Sequence, residues 1–382
     1  MIGAIRSKSK SKTLSSYYQL VGLNMSRFEI PEEAPRLYGL DDSNRDFLLP
    51  SSWGKNQFNN AFPVALAHYM HDKGMDFTYL TIDRTGSLVH SRITLPELFG
   101  TELAGIQHSF EHKHNLYADL CAVPSALPRI DLVLSSPMGQ TRALEIKLTV
   151  LPDHTTAWLS EDRYGSELVI RPDTIVYQAL SIASRYREAR PRLMSILSPA
   201  HSKVSNWHSS ETVFESFEMV QEALRGVVRD SMENQQPLLM QPIWKTVGTT
   251  LRLADYALDI FVWSDIALTE LFLKETPVRL GRNERTTVWL FLMLHEFATT
   301  GKIDHLRVLG QHAYDTKNDK AFAISGQHTN PLMASDSLTQ PRIRKDEIPN
   351  IILGGGHSHL MPERRLDATI QSDGSIFPFI EG

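Results

Sequence analysis

The spacing of apolar positions changes along this chain, and each change marks an element. Phe77 to Ile82 and Ser87 to Ile93, on either side of the Asp83-Arg-Thr-Gly86 turn, read as two strands joined by a turn. Pro128 to Leu134 (PRIDLVL) and Leu144 to Leu148 (LEIKL) repeat the pattern around a Ser/Pro/Gly cluster and predict a β-hairpin. Side chains alternate across a strand, so Leu144, Ile146 and Leu148 face one way and Glu145 and Lys147 the other. Asp131 likewise faces away from Ile130 and Leu132. If the apolar faces pack inward together, Asp131, Glu145 and Lys147 converge on one surface.

Elsewhere the spacing is helical. Phe62, Ala65, Leu66 and Tyr69 form a stripe after a possible cap at Asn60, with a stop at Gly74. Thr94-Leu-Pro-Glu97 opens a helix expected to run to about His114. Glu167–Ile170 reads as a strand, and Asp173 as the cap of a helix whose core stripe is Ile175, Ala179, Ile182 and Ala183. Phe214 to Val228 is one amphipathic stretch, Leu258 to Asp265 (LDIFVWSD) is apolar enough to be buried, and Glu284 to Thr299 is a strongly apolar helix ended by Gly301. The sequence of elements predicts an α/β protein with a mixed sheet flanked by helices and added helical and loop regions. Its expected divisions are an N-terminal arm and linker (1–50), a core (51–240), and a helical and loop region (241–382).

Composition narrows the chemistry only slightly. One cysteine, Cys121, excludes a disulfide within the chain and fits a reducing cytoplasm, where a lone thiol is chiefly a small buried hydrophobe. The longest apolar run near Val288–Leu294 is far short of a membrane span, and no hydrophobic signal segment follows the basic N-terminal residues. A formal net charge of -5 does not advertise a nucleic-acid binder, yet a local basic surface around a groove is what binding requires. Arg6, Lys8, Lys10 and Lys12, interleaved with serines, read either as an arm along phosphates or as a solvated tail.

The hairpin carries the sharpest chemistry. Two carboxylates suit Mg²⁺, which takes one or two protein oxygens and keeps its other positions for water and phosphate. Such an ion lowers the pKa of bound water and neutralises charge on a scissile phosphodiester. Lys147 can orient that water or stabilise the charge that builds. Against this stands the plainer reading of Glu145 and Lys147 as the solvated face of an edge strand. Glu111, with Glu102 second, is a candidate further acid from the preceding helix, and the plainer reading is an exposed helical glutamate. His108 and His112 at i, i+4 on that helix read as surface histidines sooner than as a metal pair, since no third ligand stands out.

The pattern P-x-x-D, thirteen residues, then E-x-K resembles the PD-(D/E)XK nuclease signature, with two residues where that signature has none between Pro128 and Asp131. Glu145 to Thr156 (EIKLTVLPDHTT) is similar to the segment after the catalytic strand of HindVP-type restriction endonucleases. Trp53 to Leu66, Leu258 to Asp265 and Gly354 to Arg365 resemble the same family, so the likeness spans about residues 50 to 370. The resemblance implies a type II enzyme with a PD-(D/E)XK restriction-endonuclease-like core, cutting both strands of a short palindrome of the GRCGYC class with Mg²⁺. A palindromic site in turn invites a homodimer.

Candidate DNA contacts are the amide-rich Lys55, Asn56, Gln57 and Asn59, then Thr155 and Thr156, and His357, His359, Arg364 and Arg365 after three glycines. Each has a plainer reading as a cap, a turn or a surface ion pair. Two rival functions also stand: a structure-specific or repair nuclease of the same superfamily, and a DNA-binding protein that has lost catalysis.

Overall fold

The computed structural model describes residues 70–314, with breaks at 72, 84, 86–87, 100–106, 113–115, 136–140, 147–166, 232–237, 243–244, 248–249, 253–255, 258–259 and 275–281, together with 322–325 and 343–344. All of these belong to one compact unit, Leu37–Gly382. The start is a helix end at Met70 and His71, closed where sequence places its stop. Gly74 takes φ 65°, its N–H binds the His71 carbonyl, and the Met75 N–H binds that of Met70, the paired bonds of a Schellman cap.

The strands β1 (Phe77–Ile82) and β2 (Leu88–Ile93) pair antiparallel about the turn that the sequence places between them. Helix α1 (Leu95–Phe99) opens on a capping box: Glu97 accepts from the Thr94 N–H at 2.8 Å, and Thr94 accepts from the Glu97 N–H at 3.4 Å. It ends at Phe99 instead of continuing to His114. Gln107–His112 is strand β3, because pairing with the hairpin overrides local helix propensity there. The hairpin is β4 (Ile130–Ser135) and β5 (Thr141–Ile146).

After β6 (Glu167–Ile170) comes α2 (Pro172–Arg185). Pro172 occupies its first turn and Asp173 lies within that turn, so Asp173 is not the cap; Arg171 is, without a side-chain bond. Every residue from Thr174 to Ala183 is buried, a helix enclosed on all sides. α3 (Arg190–His201) follows. The single expected amphipathic stretch is two helices, α4 (Ser210–Glu215) and α5 (Phe217–Asp230), parted at Ser216. Next come β7 (Leu238–Pro242), the hairpin β8 (Lys245–Val247) and β9 (Thr250–Arg252), then β10 (Tyr256–Ala257) and β11 (Ile260–Ser264). α6 (Asp265–Lys274), α7 (Arg282–Thr300) and α8 (His305–Gln311) precede β12 (Phe322–Ser325) and β13 (Ile343–Arg344). Gly301, at φ 82°, stops α7.

Seven strands form one mixed sheet in the order β2-β1-β11-β7-β5-β4-β3. It draws strands from both sides of residue 240. β5 lies between β7 and β4, so it is an interior strand and not an edge. The core cluster joins Leu80, Ile82, Val133, Ala143 and Trp263 of the sheet to α2, α3, α5, α6 and α7. On the opposite face Leu132 and Leu144 are also fully buried, and Arg142 donates to the Leu98 and Glu97 carbonyls at the end of α1. The hairpin is therefore buried on both faces, with its polar members Asp131, Arg142 and Glu145 set among apolar neighbours.

Candidate active site

The register of the sheet fixes where the hairpin carboxylates stand. Leu132 pairs with Leu144 in the antiparallel β4–β5 ladder, so the next position outward sets Asp131 opposite Glu145. On the other side of β4, Phe110 pairs with Leu132 and His112 with Ile130, which leaves Glu111 opposite Asp131. Glu145 in turn pairs with Leu239, Leu239 with Trp263, and Trp263 with Leu80. A single row therefore crosses the sheet, and its middle members share a face with the buried core residues Trp263 and Leu80. Cross-strand neighbours of this kind hold their Cβ atoms about 5 Å apart.

Asp131 is the second residue of β4 and Glu145 the second-last of β5, so both stand at the end of the hairpin away from its turn. Their chain neighbours Ile130, Leu132, Val133, Ala143 and Leu144 are buried, whereas the two carboxylates are half-buried. The N-terminal turn of α2 lies at this end. The Thr174 hydroxyl donates to Glu145 Oε1 at 2.9 Å. Three residues on, the Tyr177 hydroxyl donates to the Pro128 carbonyl just before β4. Burial first, then the charges of Glu145, Asp173 and Asp131, raise the Tyr177 phenol well above its usual range, so it remains a protonated donor. Asp173 itself lies in the first turn of α2, where negative charge is favoured.

The donor set fits a small hard cation. Two facing carboxylates with partial solvent access supply the one or two protein oxygens that Mg²⁺ takes. Among the described residues no group of three or more His, Cys, Asp or Glu is placed to hold a metal. Glu111 occupies a row position and not the helix face that sequence suggests; its side chain is not among those described. His108 and His112 also lie on β3, which removes the helical i, i+4 pairing considered for them. Lys147, Glu102, Lys55, Asn56, Gln57, Asn59, Thr155, Thr156, His357, His359, Arg364 and Arg365 lie outside the described residues.

Thr174 and Tyr177 escape a sequence reading that looks only for apolar periodicity. A signal was present: Thr174, Gln178, Ser181 and Arg185 recur at helical spacing in an otherwise apolar helix. The structure buries this polar line. Gln178 donates to the Asp265 carbonyl at 2.9 Å, and Arg185 forms a 2.7 Å ion pair with Asp265, both side chains under a tenth exposed. Burial raises the Asp265 carboxyl, and the Arg185 charge opposes that rise. The arginines that follow are also engaged: Arg187 pairs with Asp119 and Arg192 with Asp230.

A second chemical pair proves structural. Cys121 Sγ lies 3.4 Å from His305 Nδ1, and His305 Nε2 lies 3.1 Å from the Ala126 carbonyl. Both side chains are buried, and burial pushes the thiol above its usual value, away from thiolate. The pair ties the 118–126 segment to α8.

Comparison with known proteins gives the lineage. The family model described as HindVP restriction endonuclease matches residues 53–377. The type II restriction enzyme HgiDI of Herpetosiphon aurantiacus is 41% identical over 351 residues, covering 90% of this chain and 97% of that protein. The probable type II restriction enzyme HindVP of Haemophilus influenzae is 39% identical over 350 residues, covering 90% and 95%. No solved structure matches the chain. With a family model spanning most of its length and two relatives near 40% identity, the chain belongs to the HindVP restriction endonuclease family.

Proposed function

We propose that this chain is a type II site-specific deoxyribonuclease that hydrolyses both strands of double-stranded DNA at a short palindromic, GC-rich site of the GRCGYC class, using Mg²⁺. Family membership supports the reaction, and the facing pair Asp131 and Glu145 is the observation that carries its location. The proposed core is of the PD-(D/E)XK type. A mixed sheet with a carboxylate hairpin under helices is compatible with it.

In this reading Asp131 and Glu145 hold the ion, and Glu111, next in the row, adds a third acid. When bound, such an ion would supply Lewis acidity toward the scissile phosphate. Lys147, two residues past Glu145, donates a hydrogen bond that orients the attacking water and sets positive charge against the phosphate. Lys55, Asn56, Gln57, Asn59, Thr155 and Thr156 contact the DNA backbone or base edges. His357, His359, Arg364 and Arg365 belong to the base-reading region, since arginine pairs bidentately with guanine. Two copies related by a twofold axis place one such centre on each strand. The enzyme works in the cytoplasm, where DNA is accessible.

The test is digestion of a defined DNA with Mg²⁺, followed by sequencing of the ends. Fixed ends within a GRCGYC-class palindrome are expected, and Asp131→Ala should abolish cutting without loss of the folded state. Ends scattered over branched or damaged DNA would indicate a repair nuclease, and cutting at full rate by Asp131→Ala would remove Asp131 from the reaction.

A further inference from the structure

One face of α2 touches the strand that carries Glu145 and the segment that leads into the strand carrying Asp131. Thr174 and Tyr177 are three residues apart, hence neighbours on the helix surface. The first bonds the carboxylate of Glu145 on β5, and the second bonds the chain at Pro128, three residues before Asp131 on β4. The helix is itself pinned by the remainder of its polar line, Gln178 and Arg185 on Asp265. Its rotation and axial position are therefore fixed independently of the hairpin.

A glutamate needs such help. Its last torsion is broad and roughly twofold, so the carboxylate plane is poorly fixed by rotamer preference alone. A donor aimed at one oxygen selects one orientation. From this contact we propose that Thr174 is a positioning residue for Glu145: its hydroxyl, 2.9 Å from Oε1, sets the plane in which the carboxylate meets a divalent ion. This rests on the assignment of Glu145 as a metal ligand made above. Residues that orient metal ligands typically contribute 10- to 100-fold in metal affinity or activity.

Thr174 is 4% exposed, so a purely packing role is the rival account. Thr174→Val keeps the shape and removes the hydroxyl, while Thr174→Ser keeps the hydroxyl and removes the methyl. Mn²⁺ binding to the full-length protein is read from the spin-resonance signal of the free ion, with thermal melting alongside and DNA cleavage as a second readout. The expected result is Mn²⁺ binding about tenfold weaker in Thr174→Val and within about twofold of the parent in Thr174→Ser, with cleavage following the same order. Wild-type Mn²⁺ binding in a folded Thr174→Val, or equal losses in both variants, would overturn the positioning role. Should Thr174→Val not fold, Thr174→Ser still decides, since a tenfold loss in it contradicts a role held by the hydroxyl. Glu145→Gln separates the two levels: if it binds Mn²⁺ like the parent, the ligand assignment itself fails, whereas loss in Glu145→Gln with none in Thr174→Val refutes the positioning role alone.

Discussion

Two of the clusters of titratable side chains in the described part of this molecule, one acidic and one of stacked imidazoles, invite comparison. At the hairpin, Asp131 and Glu145 face each other half-exposed under the N-terminal turn of α2. In the helical layer, His201 of α3 and His295 of α7 stack 3.6 Å apart and 3° from parallel, continuing through Trp207 and Phe291. Stacked imidazoles direct their nitrogen lone pairs into two separate parallel planes, so one ion cannot lie in the plane of both. Burial lowers the pKa of each histidine, and His201 adds to the lowering of His295. The hairpin brings acids together at the end of the sheet away from its turn, while in the helical layer stacking and partial burial disfavour the charged imidazoles. Residue type alone makes histidines look as capable of metal chemistry as carboxylates; the setting separates them.

The largest expected break in this comparison is catalytic. Glu145→Gln should lower DNA cleavage by roughly a hundred- to thousandfold, the scale of losing a group that stabilises charge in the transition state. His201→Ala should leave the cleavage rate within about twofold when corrected for folded protein. A large loss from the histidine variant, measured with a fully folded preparation, would show that the helical cluster takes part in the reaction.

Stability should order the same two regions in reverse. Phe291 is fully buried between Trp207 and the histidine stack, so Phe291→Ala should cost about 3–5 kcal/mol through lost burial and the cavity left behind. Glu145→Gln removes charge from a half-buried group and can still accept from Thr174, and should change stability by about 1 kcal/mol or less. Urea unfolding monitored by circular dichroism compares them directly. Similar costs for both would mean that the hairpin acid is a structural element of the sheet.

The sequence was legible where a local rule governs structure. Short strand runs about turn residues mark β1, β2 and the β4–β5 hairpin, Thr94 and Glu97 announce the capping box, and Gly74 and Gly301 stop helices in left-handed conformations that glycine accepts. It misled where a distant partner decides. Gln107–His112 follows a helix start and carries no strong alternation, yet β4 recruits it as a strand, and the candidate acid Glu111 passes from a helix to a row position beside Asp131. The apolar word LDIFVWSD hides a change of element, since the strand ends at Ser264 and the buried Asp265 begins α6 with a partner 80 residues earlier. The Thr174–Glu145 contact joins residues 29 apart across two layers, which no single-strand or single-helix pattern encodes.

The finest difference between the regions is their response to acid. His295 is held down to about 4, by burial first and then by His201, and burial lowers His201 and His312 as well. An unfolded histidine titrates near about 6.5. Between these values the unfolded chain binds protons that the folded one refuses, so stability from this cluster is fully present above about pH 6.5 and falls as pH drops toward 4. His295→Phe retains a ring against His201 and removes the titrating nitrogen. The slope of unfolding free energy against pH should fall by up to about one proton across this window. Urea melts at several pH values spanning the window measure that slope. An unchanged slope would mean that His295 is protonated as readily in the fold as outside it, and that the helical layer does not disfavour its charge.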